Sequence, residues 1–260
     1  MMLISGTGRQ AREFEVFKGA YHPHRDIARA LLAAGIGVIR FDERSTGAST
    51  GDHRTARSAD LRNDAHLIFK EASEVAGVDK RRMYIFGHSE GAIFAMQLAH
   101  QEPLVAGIAV AGTPFKSGRE MTWDQVKVET ARPAGMSDQQ FSSYLQEVYT
   151  EKVKFVLGRP SLADLFDFDG KKVASNVRCP TLVLEGMEDW QVRPPQGKQA
   201  ARAMQHAGNR HVTYIPLTGV GHLLTPNPPG VTDYELLSDY GVDRRVTSAL
   251  VGWTRSVAGR

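Results

Sequence analysis

The pentapeptide Gly87-His88-Ser89-Glu90-Gly91 restricts this chain more than any other stretch. It stands between an apolar run, Met83–Phe86, and a segment with helical spacing, Gly91–Ala99. A serine set two residues from a glycine on either side suits a sharp strand-to-helix turn. The missing Cβ atoms relieve the crowding that such a turn creates, and the serine hydroxyl stands clear of the backbone. Chance alone places Gly-x-Ser-x-Gly in roughly one chain in ten of this length, so the pattern carries weight only through its strand and helix flanks. With those flanks, Ser89 is the expected nucleophile. The N–H of Glu90, at the start of the helix, is an expected donor to a developing oxyanion.

The rest of the chain supplies a matching framework. Short apolar runs without polar alternation occur at Met2–Ser5, Gly37–Asp42, Met83–Gly87, Leu104–Gly112, Thr181–Gly186 and His211–Leu217. Amphipathic segments separate them, including His24–Gly35 with Ile27, Ala30, Leu31 and Ala34 on one face. Strands of this kind joined by helices predict an α/β fold, a doubly wound, mostly parallel sheet covered on both faces. Ligands of such sheets gather beyond the C-terminal ends of the strands. From Pro114 to Ser175 the alternation stops. Ser137 and Gln140 fit a capping box, Met136 and Phe141 a hydrophobic staple, and Phe141, Tyr144, Leu145, Val148 and Tyr149 one helical face. The expected organisation is a core of residues 1–113 and 176–260 with a helical cap insertion at 114–175.

The 260 residues are long enough for a sizeable core. The formal net charge of +3 is scattered, and the densest basic cluster, Asp79–Arg82, reads as a solvated loop, so no nucleic-acid partner is expected. The single cysteine, Cys179, permits no intrachain disulfide and reads as a buried inert thiol. No apolar run reaches the ~18 residues of a membrane span. The N-terminus carries no signal-peptide pattern, which makes a cytoplasmic location without membrane association the expectation.

A serine nucleophile needs a base and an orienting acid, here in the order serine, acid, histidine. Asp189 lies in the loop after Thr181–Gly186, with Glu185 and Glu188 as rivals. His222 follows Thr218-Gly219-Val220-Gly221, a glycine-rich stretch expected to leave the imidazole mobile. A second oxyanion donor is expected from the glycine-rich turn after Met2–Ser5, with the N–H of Thr7 as candidate. A dinucleotide reading of Gly6 and Gly8 fails because Ala11 stands where the third glycine belongs. His22 and His24 lack metal-ligand spacing and read as a surface loop entering a helix, so neither metal nor cofactor is expected.

Together, "GHSEG", "LEGMEDWQV", "GVGHLL" and "FDERSTGAST" resemble the α/β-hydrolase superfamily, from about Met2 to Arg255. "SGTGRQARE" is similar to the oxyanion loop of bacterial esterase and thioesterase-like members in Gln10 and Arg12, and departs from it at Arg9, Ala11 and Glu13. The resemblance implies an edge hairpin ahead of the first strand, and with that strand starting at Met2 either the hairpin has been lost or the start is late. A bare sheet edge there would invite pairing into a homodimer. The resemblance implies a serine hydrolase acting on carboxylic esters through Ser89, His222 and Asp189. The nearest alternative is an acyl-thioesterase with the same machinery, in which Arg9 and Arg12 would hold a carboxylate or phosphate. A peptidase and a non-catalytic small-molecule binder are further alternatives. The expected partner is a small ester or thioester, with Gly6, Arg9, His88, Trp123, Tyr144 and Trp190 as candidate substrate contacts.

Overall fold

The computed structural model describes residues 1–13 and 20–259. Five strands, β1 (Met2–Ile4), β2 (Tyr84–His88), β3 (Gly107–Ala111), β4 (Thr181–Gly186) and β5 (Val212–Leu217), form one parallel sheet in that order. Every residue of β1, β3 and β4 is buried, as the unbroken apolar runs predict, whereas β5 lies half-exposed at the sheet edge. The sixth predicted strand, Gly37–Asp42, contracts to a single bridge. Ile39 pairs in parallel with Met2, while Asp42 turns to accept the Arg12 N–H and Glu43 that of Gln10.

That bridge sets the topology. β1 has β2 on one side and Ile39 on the other, so the chain reverses its winding direction at β1. Helix α1 (Pro23–Ala33) follows β1 on one face, where Ile27, Ala28 and Leu31 pack with Val246, Leu250 and Trp253 of α9 (Arg244–Ala258). On the other face lie α2 (Ser58–Ser73), α3 (Glu90–Gln101) and α8 (Gln196–His206), through Phe69, Met96 and Met204 among others. The loops leaving β1 and β2 therefore diverge to opposite faces and open a crevice at their C-terminal ends, the place where ligands of doubly wound sheets bind.

Between β3 and β4 run α4 (Gly118–Glu129), α5 (Asp138–Leu157), α6 (Pro160–Asp164) and α7 (Gly170–Ser175). The Ser137–Gln140 capping box opens α5. The predicted α5 stripe is partly covered, but α5 has no buried residue. α7 instead packs on α3 and α8, and its Ala174 is fully buried in the sheet-covering cluster. Cys179 is part-buried against that same cluster, and burial raises its thiol to about 11. Among the described residues no helix is long and apolar enough to cross a membrane.

Candidate active site

The turn between β2 and α3 is tight. Ser89 adopts φ 55° and ψ −120°, a backbone conformation that costs a non-glycine residue on the order of 1–3 kcal/mol. The glycines make it feasible. A Cβ on Gly87 would run into the carbonyl of Gly91, and one on Gly91 would meet the carbonyl oxygens of Ser5 and Ile4. A Cβ on Gly6 would come within 3.0 Å of the Ser89 Cβ, so the loop after β1 lies flush against the serine. The N–H of Glu90 opens α3, with no preceding turn of helix to accept it.

Three side chains from three loops converge here. His222 Nε2 lies 3.1 Å from Ser89 Oγ, and His222 Nδ1 lies 2.8 Å from Asp189 Oδ2. Asp189 is 3% exposed, and its other oxygen accepts the N–H groups of Gln191 and Val192 at 2.9 and 2.8 Å. The carboxylate is thereby held in one orientation. Gly112, at φ 54°, clears space for the imidazole, because a Cβ there would sit 3.2 Å from its ring.

Glu185 is turned away, accepting the Gly197 N–H and the Tyr214 hydroxyl beside α8. Glu188 is partly exposed, and its backbone N–H donates to the Val220 carbonyl.

The His222 loop is pinned, contrary to the mobility expected of its glycines. Gly221 N–H donates to the Thr225 carbonyl, Leu224 N–H to that of Gly221, and Tyr21 Oη to that of Leu223 at 3.0 Å. His88 Nε2 lies 2.7 Å from the His222 carbonyl oxygen. Since a carbonyl can only accept, His88 carries its proton on Nε2. Burial, assisted by the neighbouring His222, lowers His88 to about 3, so it is neutral at physiological pH.

A cavity of about 190 Å³ opens on Ser89 and His222. Of the expected contacts, Gly6, Thr7 and His88 line it; Arg9, Trp123, Tyr144 and Trp190 do not. Arg9 is exposed and Arg12 is paired with Asp42. Trp123 packs edge-on against Tyr149 within the β3–β4 helices, Tyr144 lines an open groove along α5, and Trp190 lies against Tyr234. Each is drawn off by an aromatic neighbour or by the outward face of its helix.

The cavity walls instead include Tyr21, His24, Gln191 and Leu223, which sequence reasoning missed. His22 and His24 are buried, not on a surface loop. Pro23 starts α1 beneath the cavity, and burial lowers His24 to about 4. The only sequence signal was the aromatic-rich "YHPH" directly before an amphipathic helix. Among the described residues no cluster of three or more His, Cys, Asp or Glu side chains could hold a metal ion.

The Glu90 side chain is buried in the neighbouring wall. Burial raises its carboxyl to about 7, partly opposed by a hydrogen bond from Thr7. In the unfolded chain the group ionises near 4.5. Between these values the folded protein keeps a proton that the unfolded chain has lost. The stability this confers is complete below about 4.5, declines as pH rises towards 7 and is flat above it. Glu90→Gln cannot ionise. Its urea unfolding free energy should match the native protein at pH 4.5 and exceed it at pH 8 by on the order of 3 kcal/mol.

Comparison with known proteins extends this picture. The family model described as "Serine aminopeptidase, S33" matches residues 18–154. The esterase EstD of Thermotoga maritima is 23% identical over 261 residues, an alignment that takes in 97% of this chain and 61% of EstD. The chain thus spans about three-fifths of the length of that curated relative. A Pyrococcus furiosus esterase superposes with a TM-score of 0.63 at 15% identity, over 98% of this chain and 80% of its own. A monoacylglycerol lipase of Paleococcus ferrophilus does so with a TM-score of 0.60 at 19% identity, over 98% and 93%. These likenesses establish the fold. With more than half of the sequence matched by the family model, the chain belongs to the serine aminopeptidase S33 family of α/β-hydrolases.

Proposed function

We propose that this protein hydrolyses carboxylic esters through an acyl-enzyme on Ser89. The observation that carries the reading is the continuous hydrogen-bonded line from Asp189 through His222 to the Ser89 hydroxyl. Ser89 Oγ attacks the acyl carbon while His222 Nε2 takes its proton. The N–H groups of Glu90 and Thr7 receive the oxyanion. His222 then protonates the departing alcohol, and the acyl group remains on Ser89. Water attacks that ester, giving its proton to His222, and the released serine recovers it. Asp189 holds the imidazole tautomer with its proton on Nδ1 and stabilises the imidazolium. Residues 114–175 act as the cap in this reading. Gln125 of α4 donates to the Gln191 carbonyl, tying the cap to the acid loop.

The cavity favours an ester over an aminoacyl substrate. Among the described residues its wall contains no carboxylate, so an α-ammonium group there would lack a counterion. Its 190 Å³ falls below the usual range for drug-sized ligands, which favours a short acyl group. Parallel assays on p-nitrophenyl acetate, p-nitrophenyl butyrate and short acyl-CoA thioesters test this. The esters should be turned over with the higher kcat/KM. A preference of more than about a hundredfold for the thioester would overturn the choice.

A further inference from the structure

The loop expected to supply the Thr7 N–H, Ser5–Gln10, is closed into a ring by one side chain outside the cavity. Glu43 Oε1 accepts from the Ser5 hydroxyl at 2.6 Å, and Oε2 accepts the Gln10 N–H at 2.9 Å. The Glu43 N–H completes the ring by donating to the Gln10 carbonyl at 3.0 Å. One carboxylate thus spans the two ends of the loop. Within the ring, Gln10 Nε2 donates to the carbonyls of Gly6 and Thr7 at 3.2 and 3.3 Å, and Thr46 Oγ1 reaches the Gln10 carbonyl.

A buried carboxylate ordinarily pairs with a cation. The Glu43 side chain is 14% exposed; His53 Nε2 stands 3.9 Å away, but burial lowers that imidazole's pKa and leaves it neutral at physiological pH, and burial likewise pushes the Glu43 carboxyl up to about 7. The nearby Arg44 is engaged with Asp64. Glu43 therefore spends its acceptor capacity on the loop. It also lies behind that loop, in the wall of a separate cavity of about 610 Å³ that is lined as well by Gly6 of the loop and Glu90 of the serine turn. We propose that Glu43 is a positioning residue for the oxyanion donor of this loop: by bridging Ser5 and Gln10 it sets the place of the Thr7 N–H relative to Ser89. It touches neither substrate nor the reacting atoms. The proposal rests on the acyl-enzyme reading given above.

The experiment compares Glu43→Ala, Glu43→Gln and Ser5→Ala with the native protein, with concentrations fixed by fluorophosphonate titration of Ser89. Two inhibitors separate positioning from general loosening. A trifluoromethyl ketone forms a tetrahedral oxyanion on the serine, whereas the product carboxylic acid resembles the ground state. Losing an oxyanion donor outright costs about 10²–10³ in kcat, so displacing one in Glu43→Ala should cost about 10–100-fold, with KM changed less than about threefold. The ketone should weaken by the same factor and the acid should not. Glu43→Gln retains one acceptor for the Gln10 N–H and offers an amide donor to Ser5 Oγ, so it should stay within about fivefold of native. Ser5→Ala removes one arm of the bridge and should lose about three- to tenfold, which keeps the proposal testable if Glu43→Ala does not fold. Native kcat per titrated site in either alanine variant, or a kcat loss without weaker ketone binding, overturns the clamp. If the native protein forms no adduct at Ser89, the acyl-enzyme reading itself fails and the clamp falls with it.

Discussion

Ser89→Ala is expected to keep the native fold, to lose all fluorophosphonate labelling, and to lower kcat for a p-nitrophenyl ester by about 10⁶-fold. That corresponds to about 8 kcal/mol of transition-state stabilisation. The substitution removes one oxygen at a position where the backbone is already strained, and alanine at φ 55° keeps the same Cβ, so the turn survives. His222→Ala should cost nearly as much, and the double variant little more, because the hydroxyl and the imidazole act as one unit. Asp189→Asn should cost about 10⁴-fold by favouring the wrong imidazole tautomer. Steady-state kinetics with circular dichroism as the fold control checks the series. Full labelling of Ser89→Ala, or strictly additive losses, would contradict the assignment of the hydroxyl as nucleophile.

Gly91→Ala is expected to cost at least about 3 kcal/mol of stability and to yield largely insoluble protein. The added Cβ would be driven against the Ser5 carbonyl and lie 2.5 Å from the Ile4 carbonyl oxygen. Both belong to the strand end that α3 packs against, so neither can retreat without breaking the β1–β2 pairing at Ile4–Gly87. Gly8→Ala is the contrast. Nothing lies within 4 Å of a Cβ there, and only the φ of 100° opposes it, so it should cost about 1 kcal/mol. Chemical denaturation of the two variants separates steric exclusion from backbone strain. A soluble Gly91→Ala with a native midpoint would show that the close approach of α3 to β1 is not required.

The parts of the site that were legible in the sequence are those fixed by neighbours in the chain. The Gly87–Gly91 turn, the helix that follows it, the capping box at Ser137 and the buried strands rest on rules reaching only a few residues, such as steric limits on φ and ψ and side-chain periodicity. The predicted Gly37–Asp42 strand shows where such rules stop. Its composition suits a strand, but its length in the sheet depends on which partners remain, and Asp42 and Glu43 are claimed by the loop after β1.

The contacts that complete the site are of another kind. Whether Asp189, Glu185 or Glu188 reaches His222 depended on how the β4 loop lies against a segment 33 residues later. The same holds for Tyr21 on the Leu223 carbonyl, 202 residues away, and for Glu43 on Ser5, 38 residues away. Aromatic residues of the β3–β4 helices suggested a pocket wall by composition alone, yet Trp123 and Tyr144 lie elsewhere, because composition does not say which way a helix faces.

Sequence alone determined that a serine would stand out of a strained strand-to-helix turn in a parallel sheet, since backbone sterics act within five residues. Only the tertiary structure decided which walls surround it and which side chains hold the loop beside it. Those choices are made by packing between segments far apart in the chain, and local spacing carries no record of distance in space.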